Sequence, residues 1–147
     1  SEGLLLMTNQ GELANEIMHA GNFHEKEYLV TVDQPFNAAF LKKMREGVEL
    51  KELGVTTRPC KVEVAGVKTF RIILTQGLNR QIRRMCAELG YRVVTLKRVR
   101  IMNIHLGKLN TGDFRRATPK ELEELEWQLE QARLEREEAE LLAGQDE

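Results

Sequence analysis

The chain has 147 residues, enough for one domain with a hydrophobic core, and its 41% hydrophobic and 31% charged residues are typical of a globular protein. No apolar run is long enough to cross a membrane, and two cysteines are too few for a disulfide framework. The three histidines lie far apart without a ligand pattern, so we predict neither a metal site nor a membrane span. A reducing, cytoplasmic environment is expected for the two thiols, Cys60 and Cys86.

Charge is distributed unevenly along the chain. Residues 1–118 contain 19 basic and 12 acidic side chains, whereas residues 119–147 contain 3 basic and 11 acidic ones, so the net charge of −1 conceals a basic body and an acidic tail. A basic body favours a polyanionic partner, most commonly nucleic acid. We interpret the acidic tail as a solvated helix, with a device that masks the basic body as the alternative. These two segments are also the two units that we predict.

The first quarter of the chain predicts a strand, a helix and a second strand. Residues 3–9 form an apolar run that ends in turn residues, which predicts a buried strand. Because this strand begins so near residue 1, we expect the natural sequence to continue upstream. Helical spacing over residues 13–18 predicts a helix that stops near Gly21 and Asn22. Residues 25–32 alternate and include β-branched side chains, which predicts a strand.

The middle of the chain continues the alternation of strands and helices. The predicted elements are a short amphipathic helix over residues 36–44, a loop or hairpin over 48–54, a hairpin of strands over 56–64 and 69–74, an arginine-rich helix that starts near residue 80, and a strand over 91–100. The sequence therefore predicts an α+β fold with a mixed, largely antiparallel sheet and inserted helices.

A last helix is predicted in the acidic tail. Thr118 can cap it, with Pro119 at the first helical position and Glu121 three residues after the cap. Three leucines share one face of this helix, namely Leu122, Leu125 and Leu129. We expect the helix to fray beyond Arg136 and residues 144–147 to be disordered.

The arginine-rich stretch over residues 77–86, GLNRQIRRMC, follows a predicted strand. Asn79 is a good N-cap, and apolar residues then recur with helical spacing at positions 82, 85, 86 and 89. The same spacing places Arg80, Arg83 and Arg84 together on a second face. Three guanidiniums at a helix N-terminus oppose the helix dipole, so we expect a phosphate or carboxylate there. The alternative is a solvated cationic face that pairs with acidic residues of the chain.

Tyr28 is the aromatic candidate for contact with a substrate. In the predicted strand, Lys26 lies two residues earlier on the same face. This arrangement suits a stacking ring and a phosphate contact for an extruded nucleotide. The alternative is a tyrosine of the hydrophobic core.

Three segments resemble successive motifs of the ribosomal RNA pseudouridine synthases of the RsuA/RluB/RluE/RluF type. They are residues 1–9 (SEGLLLMTN), 25–30 (EKEYLV) and 77–85 (GLNRQIRRM). They occur in the order of the family, and the resemblance covers the chain to about Arg116. Residues 20–28 and 100–103 are most similar to the RluF branch, which modifies large-subunit ribosomal RNA.

The resemblance implies the catalytic-domain fold of these synthases and isomerisation of a uridine without metal or cofactor. Tyr28 matches the aromatic residue that packs against the target base and takes part in proton removal at carbon 5. Arg83 matches the basic residue that pairs with the catalytic aspartate. Five further residues are interpreted as RNA contacts, namely Lys26, Asn79, Arg80, Gln81 and Arg84. The implied partner is large-subunit ribosomal RNA, with transfer RNA as a further candidate substrate, and we expect a monomer.

The catalytic aspartate of the family is not matched within these 147 residues. In the family it lies in a Gly-Arg-Leu-Asp stretch, which would fall shortly before Ser1. Asp33, Asp113 and Asp146 have no matching sequence context. The small amino-terminal RNA-binding domain usual in the family is also missing from this sequence. We therefore expect the carboxy-terminal part of a synthase, inactive on its own.

Two other functions stay open from the residues. A non-catalytic RNA-binding module would grip folded RNA through the basic body and stack an unpaired base on Tyr28. An interaction domain would dock its acidic helix to a partner around Trp127. The two RNA hypotheses differ at Arg83, which would bind a phosphate in a binding module and the catalytic carboxylate in an enzyme.

Overall fold

The structure, a computed structural model, describes residues 2–18 and 23–145. Its elements in chain order are β1 (Glu2–Gly3), α1 (Gly11–Met18), β2 (Lys26–Val32), α2 (Ala38–Glu46), β3 (Glu49–Leu50), β4 (Val55–Thr56), β5 (Lys61–Val64), β6 (Thr69–Leu74), α3 (Gln81–Glu88), β7 (Val93–Ile101), β8 (Ile104–His105) and α4 (Pro119–Gln145). Within these two ranges, no helix is both long and apolar enough to span a bilayer.

The main sheet has the strand order β1-β7-β2-β6-β5, and β8 pairs with β7 as a short extension. β1 runs parallel to β7, whereas β7, β2, β6 and β5 are antiparallel neighbours. β3 and β4 form a separate hairpin, which resolves the loop or hairpin predicted over residues 48–54. The predicted α+β fold with a mixed, largely antiparallel sheet is confirmed.

Strand β2 lies inside this sheet, with β6 on one side and β7 on the other. Strand β7 carries an extra residue opposite β2 at two points, and one of them lies beside Tyr28. Arg100 pairs with Glu27 but Arg98 pairs with Tyr28, so Val99 forms a bulge. Opposite residues in a ladder share a face, so Arg98 lies on the Tyr28 face and Arg100 on the Glu27 face.

The main hydrophobic core covers the Tyr28 face of the sheet. Its fully buried members come from β2, α2, β3, β6 and α3, and they include Val30, Met44, Leu50, Phe70, Ile72, Met85 and Cys86. Phe40 joins this core, with its ring centroid 5.6 Å from that of Phe70 and 4.4 Å from that of Tyr91. The apolar face predicted for the arginine-rich helix is confirmed, because α3 packs into this core through that face.

A second, smaller core lies where α1 and α4 meet the end of β7. Ile17 of α1, Leu125 of α4, Ile101 of β7 and the adjacent Met102 are buried there. This packing confirms the helix predicted before β2. Its predicted end and the first part of the RluF-like segment fall on residues 20–22, which lie outside the described residues.

The prediction of a buried strand over residues 3–9 is wrong. The strand β1 is only two residues long, Glu2–Gly3, and Leu5 beyond it is 69% exposed. β1 lies at the edge of the sheet with a single neighbour, and the chain leaves the sheet after the Leu4 amide donates to the Arg98 carbonyl at 2.8 Å. Leu4 and Leu6 of this apolar run pack against the second core.

The strand predicted over residues 56–64 starts later than expected, at Lys61. Pro59 has no amide hydrogen to donate to a ladder, and the amide of Arg58 donates to Gln76 Oε1 at 3.1 Å instead. The hairpin of β5 and β6 is confirmed.

Helix α4 begins with the predicted cap. The Glu121 amide donates to Thr118 Oγ1 at 3.1 Å, and the Thr118 amide donates to Glu121 Oε1 at 2.8 Å. Arg115 donates to both carboxylate oxygens of Glu121, at 2.7 and 2.8 Å. Hydrogen bonding to Arg115 has the largest effect on the pKa of Glu121, and the bond from the Thr118 amide adds to it. Together they lower this pKa to about 2.

The predicted fraying of α4 beyond Arg136 is wrong, and so is the disorder expected at Gly144, since the helix continues to Gln145. Arg136 donates to Glu16 of α1 at 2.8 Å, which holds this part of α4 against the body. The residues that follow are mostly good helix formers. The last two residues of the chain lie outside the described ranges.

Replacing Glu121 by Gln should destabilise the start of α4 at neutral pH, because the charged group pairs with Arg115. The pKa of Glu121 is lower in the folded protein than its usual 4.5, so its contribution is complete above about pH 4.5 and is lost as the pH falls through about 2. Thermal melts followed by far-UV circular dichroism should therefore differ between wild type and Glu121→Gln at pH 7. They should converge as the pH is lowered towards 2.

Glu123→Gln is the matched control for this prediction. The side chain of Glu123 has no ion-pair or hydrogen-bond partner in the described part of the chain, so its variant should melt like wild type at both pH values. A deficit of the Glu121 variant that is as large at pH 2 as at pH 7 would contradict the prediction.

Candidate active site

The candidate site lies at the end of the sheet where β2 begins and β6 ends. Lys26, the first residue of β2, lies opposite Leu74, the last residue of β6, and opposite Ile101 of β7. From Leu74, residues 75–80 lead directly into α3. The fold therefore brings the Lys26–Tyr28 segment and the arginine-rich helix to the same end of the sheet, although they are distant in sequence.

Tyr28 is half-buried and packs against the main core. It lies on the same face of β2 as Lys26 and Val30, and Arg98 of β7 lies opposite it. The sequence left open whether Tyr28 is a core residue or a contact for a base, and this position has features of both. Part of the side chain belongs to the core, and part is accessible from solvent, as stacking on a base requires.

Lys26 is a buried cation. Its side chain is 3% exposed, and within the described ranges its Nζ has no hydrogen-bond partner. Burial lowers the pKa of this ammonium, and the positive charge of Arg98 lowers it further. A buried Nζ does not reach a phosphate at the protein surface, so this burial argues against the predicted RNA contact by Lys26. Strand alternation indicated the face of Lys26, but it could not show how deeply that face is covered.

The turn before α3 differs from the prediction. The N-cap position falls on Arg80, whose backbone is left-handed with φ 50° and ψ 37° and whose side chain makes no capping bond. The prediction of Asn79 as N-cap is therefore wrong. A left-handed backbone costs an arginine about 1–2 kcal/mol, so neighbouring contacts must hold this turn in place.

Arg84 supplies those contacts. Its Nε donates to the backbone oxygen of Asn79 and its Nη2 to Asn79 Oδ1, both at 2.9 Å, while its Nη1 pairs with Glu52. The side chain of Asn79 is thus engaged by Arg84 and is not available to cap the helix. Of the two alternatives drawn from the sequence for the arginines, the structure shows the second one at Arg84, which pairs with an acidic residue of the chain, Glu52.

Gln81 braces the same turn from inside. It is 5% exposed, its Oε1 accepts from the Leu78 amide at 3.2 Å, and its Nε2 donates to Gln76 Oε1 at 3.3 Å. The amide group points into the protein, which argues against the predicted RNA contact by Gln81. Sequence reasoning missed this role. The available signal was a glutamine at the first helical position, where backbone amides need partners.

The side chains of Arg80 and Arg83 have no hydrogen-bond or ion-pair partner in residues 2–18 and 23–145. Arg83 is half-buried on α3, whereas Arg80 and Asn79 are exposed. A guanidinium at the first turn of a helix adds to the positive end of the helix dipole and attracts an anion. The negative group expected from the sequence is therefore still required at Arg83, whereas at Arg84 it is the carboxylate of Glu52.

The aspartates that the structure describes accept backbone hydrogen bonds, Asp33 where the end of β2 meets the start of β7 and Asp113 within a turn. Asp33 Oδ1 accepts from the Arg92 amide at 3.0 Å, and Asp113 Oδ2 accepts from the Asn110 amide at 3.2 Å. Asp146 lies outside the described residues. These bonds to backbone amides explain the two carboxylates as structural groups.

Gln81→Ala should lower the free energy of unfolding by about 1–3 kcal/mol, because the Leu78 amide and the Gln76 side chain lose their partner in a buried turn. Gln128→Ala is the matched control. The Gln128 amide contacts Glu124 on the exposed surface of α4 at 3.1 Å, so its loss should change stability by about 0.5 kcal/mol or less. Urea unfolding of both variants provides the measurement, and equal effects would show that Gln81 does not brace the turn.

Comparison with known proteins gives consistent matches. The family model described as RNA pseudouridylate synthase matches residues 1–88. The dual-specificity RNA pseudouridine synthase RluF of Escherichia coli (strain K12) is 51% identical over 125 residues, which are 85% of this chain and 42% of that protein. The ribosomal large subunit pseudouridine synthase B of Bacillus subtilis (strain 168) is 34% identical over 131 residues, which are 85% of this chain and 53% of that protein.

A solved structure agrees with these matches. A crystal structure of a pseudouridylate synthase superimposes with a TM-score of 0.76 at 31% sequence identity, covering 80% of this chain and 52% of that one. The chain spans about half the length, or less, of the relatives that it matches. Since the family match extends over more than half of the chain and the fold agrees, this chain belongs to the RNA pseudouridylate synthase family.

Proposed function

We propose that the protein carrying this chain converts a uridine of large-subunit ribosomal RNA into pseudouridine. The observation that carries this proposal is Arg83, a half-buried guanidinium that has no partner in the described ranges although it lies in the motif that resembles the family. The relatives' names support an RNA substrate, and one of them names the ribosomal large subunit. The dual specificity in the other name is consistent with a second RNA substrate, for which transfer RNA is our candidate.

The proposed reaction moves one bond within the nucleotide. The bond between ribose C1′ and uracil N1 breaks, the base rotates, and C1′ joins C5. The hydrogen on C5 leaves as a proton and N1 takes up a proton, so the product is an isomer of the substrate. An aspartate carboxylate is the proposed nucleophile. Asp33 and Asp113 are engaged by the backbone amides of Arg92 and Asn110, so we place this aspartate in the sequence that precedes Ser1 in the parent protein.

Arg83 is the proposed partner of that carboxylate. A guanidinium beside an aspartate keeps it ionised, because an opposite charge favours the charged form, and it fixes the orientation of the carboxylate. The buried face of α3 holds the helix firmly, since Ile82, Met85 and Cys86 are packed in the main core. Arg83 therefore presents its charge from a rigid element, as a positioned nucleophile requires.

Tyr28 is the proposed contact with the target base. Its half-buried ring is anchored in the main core, which leaves the remaining surface to pack against a uracil. We further propose that Tyr28 takes part in removing the C5 proton. A base must leave its stack to reach such a residue, so the substrate uridine is expected to be unpaired or flipped out.

Three exposed or partly exposed residues at the start of α3 are the proposed RNA contacts. Asn79 and Arg80 are exposed, and Arg80 has no partner among the residues that the structure covers. Arg84 pairs with Glu52, whose side chain is 80% exposed. Because an exposed ion pair contributes only about 0–1 kcal/mol, Arg84 can exchange Glu52 for an RNA phosphate.

Arg83→Ala in the full-length protein should abolish turnover while most of the RNA affinity survives, because Arg83 is proposed to hold a protein carboxylate. Turnover is measured as tritium released from ribosomal RNA labelled at C5 of uridine. Arg80→Ala is the matched control, since it removes the same charge from an exposed position. It should retain turnover at saturating RNA and reduce the slope of log affinity against log salt concentration by about 0.9.

Other outcomes would identify the alternatives. If both variants reduce the salt slope equally and neither changes turnover, Arg83 is a phosphate contact. If the full-length protein releases no tritium from any ribosomal RNA, a non-catalytic RNA-binding module replaces the enzyme. We expect the 147-residue chain by itself to release no tritium, and turnover by this chain would contradict an aspartate located before Ser1.

A further inference from the structure

Lys26 lies in a strand that is hydrogen-bonded on both sides, and its ammonium group is enclosed. The side chain is 3% exposed, and Nζ finds no hydrogen-bond partner in residues 2–18 and 23–145. A buried cation without a counter-ion destabilises a fold, so buried ammonium groups are normally paired or neutral. A negative group, which the described residues do not supply, would stabilise the charged form of Lys26 at this position.

The carboxylates adjacent to Lys26 in sequence serve other cations. Glu27 lies on the opposite face of β2, where it contacts Arg100 at 3.3 Å and Arg71 at 3.4 Å. Glu25 contacts Arg100 at 3.2 Å. Two acids thus neutralise Arg100, and neither neutralises Lys26.

A second cation, Arg98, lies on the same face of the sheet as Lys26. The bulge in β7 puts Arg98 opposite Tyr28, on the Lys26 face of the sheet, and its charge lowers the pKa of Lys26. Arg98 Nε donates to the Leu4 carbonyl at 2.8 Å, which fixes the guanidinium, while its two Nη groups have no partner within the described ranges. Gly3 of β1 lies against the Arg98 backbone so closely that a Cβ would collide with it.

We infer that Lys26 and Arg98 together bind one carboxylate group. A carboxylate is small and planar, and it can accept hydrogen bonds from an ammonium and a guanidinium at the same time. An RNA phosphate carries two ribose substituents and does not fit against an enclosed Nζ. Since Tyr28 lies on the same face, the bound carboxylate would be its neighbour.

This inference goes beyond the proposed function, in which Lys26 has no role. The proposed function rests on Arg83 and on turnover, whereas the carboxylate site rests on Lys26 and on binding. Each can therefore fail while the other holds.

Formate is the probe for this site, tested on the 147-residue chain by thermal unfolding against sodium chloride of equal ionic strength. Formate should raise the unfolding midpoint of wild type in a dose-dependent way, because it binds only the folded state. Lys26→Met should remove this response and should raise the midpoint without formate by about 2–4 °C, since it replaces an uncompensated buried charge by an apolar chain. Lys97→Met, on the opposite face of the sheet, is the matched control and should keep the formate response.

Nuclear magnetic resonance of the Lys26 ε-carbon gives a second measurement that needs no variant. Formate should raise the pKa of Lys26 in wild type, because a bound anion favours the charged ammonium. The inference is overturned if formate changes neither the midpoint nor this pKa, or if Lys26→Met retains the formate response. It is also overturned if inorganic phosphate or uridine 5′-monophosphate gives the Lys26-dependent response and formate does not, since the site would then accept nucleotide phosphates.

Discussion

The pairing of β2 with β6 and β7 is the constraint on which the candidate site depends. It fixes the register of Lys26 and Tyr28 against the end of β6, from which the chain leads into the arginine-rich turn. It also fixes Arg98 opposite Tyr28. A slip of one residue would turn the whole set to the other face of the sheet, so the chemistry of the site depends on register as much as on residue type.

The helix α3 adds a second constraint, because its orientation is set by what it buries. Three side chains of its inner face, Ile82, Met85 and Cys86, are 4% exposed or less. Burial raises the pKa of the Cys86 thiol to about 12, so this cysteine acts as a neutral core residue and not as a nucleophile. With the inner face fixed, Arg83 and Arg84 are held on the other side, and local hydrogen bonds decide between them. Arg84 closes the turn through Asn79, which leaves Arg83 for another partner.

Local patterns predicted the parts of the structure that local physics decides. The alternation in β2, the apolar spacing of α3 and the capping box at Thr118 each depend on residues within a few positions of one another, and all three were confirmed. The predictions that were wrong depend on distant contacts. Asn79 does not cap α3 because Arg84 engages its side chain. The burial of Lys26 and Gln81 depends on how the strands and the turn are covered, which periodicity does not report.

The bulge at Val99 has a consequence for the electrostatics of the sheet. In a regular strand, Arg98 and Arg100 would point to the same side. The extra residue sends them to opposite sides, where Arg100 meets two carboxylates and Arg98 joins the cation of Lys26. At this end of the sheet, the guanidinium of Arg100 is therefore paired with carboxylates on one face, while Lys26 and Arg98 place two cations on the other. A deletion of this one residue would carry a guanidinium from one side to the other, an effect that no single substitution at Val99 could reproduce.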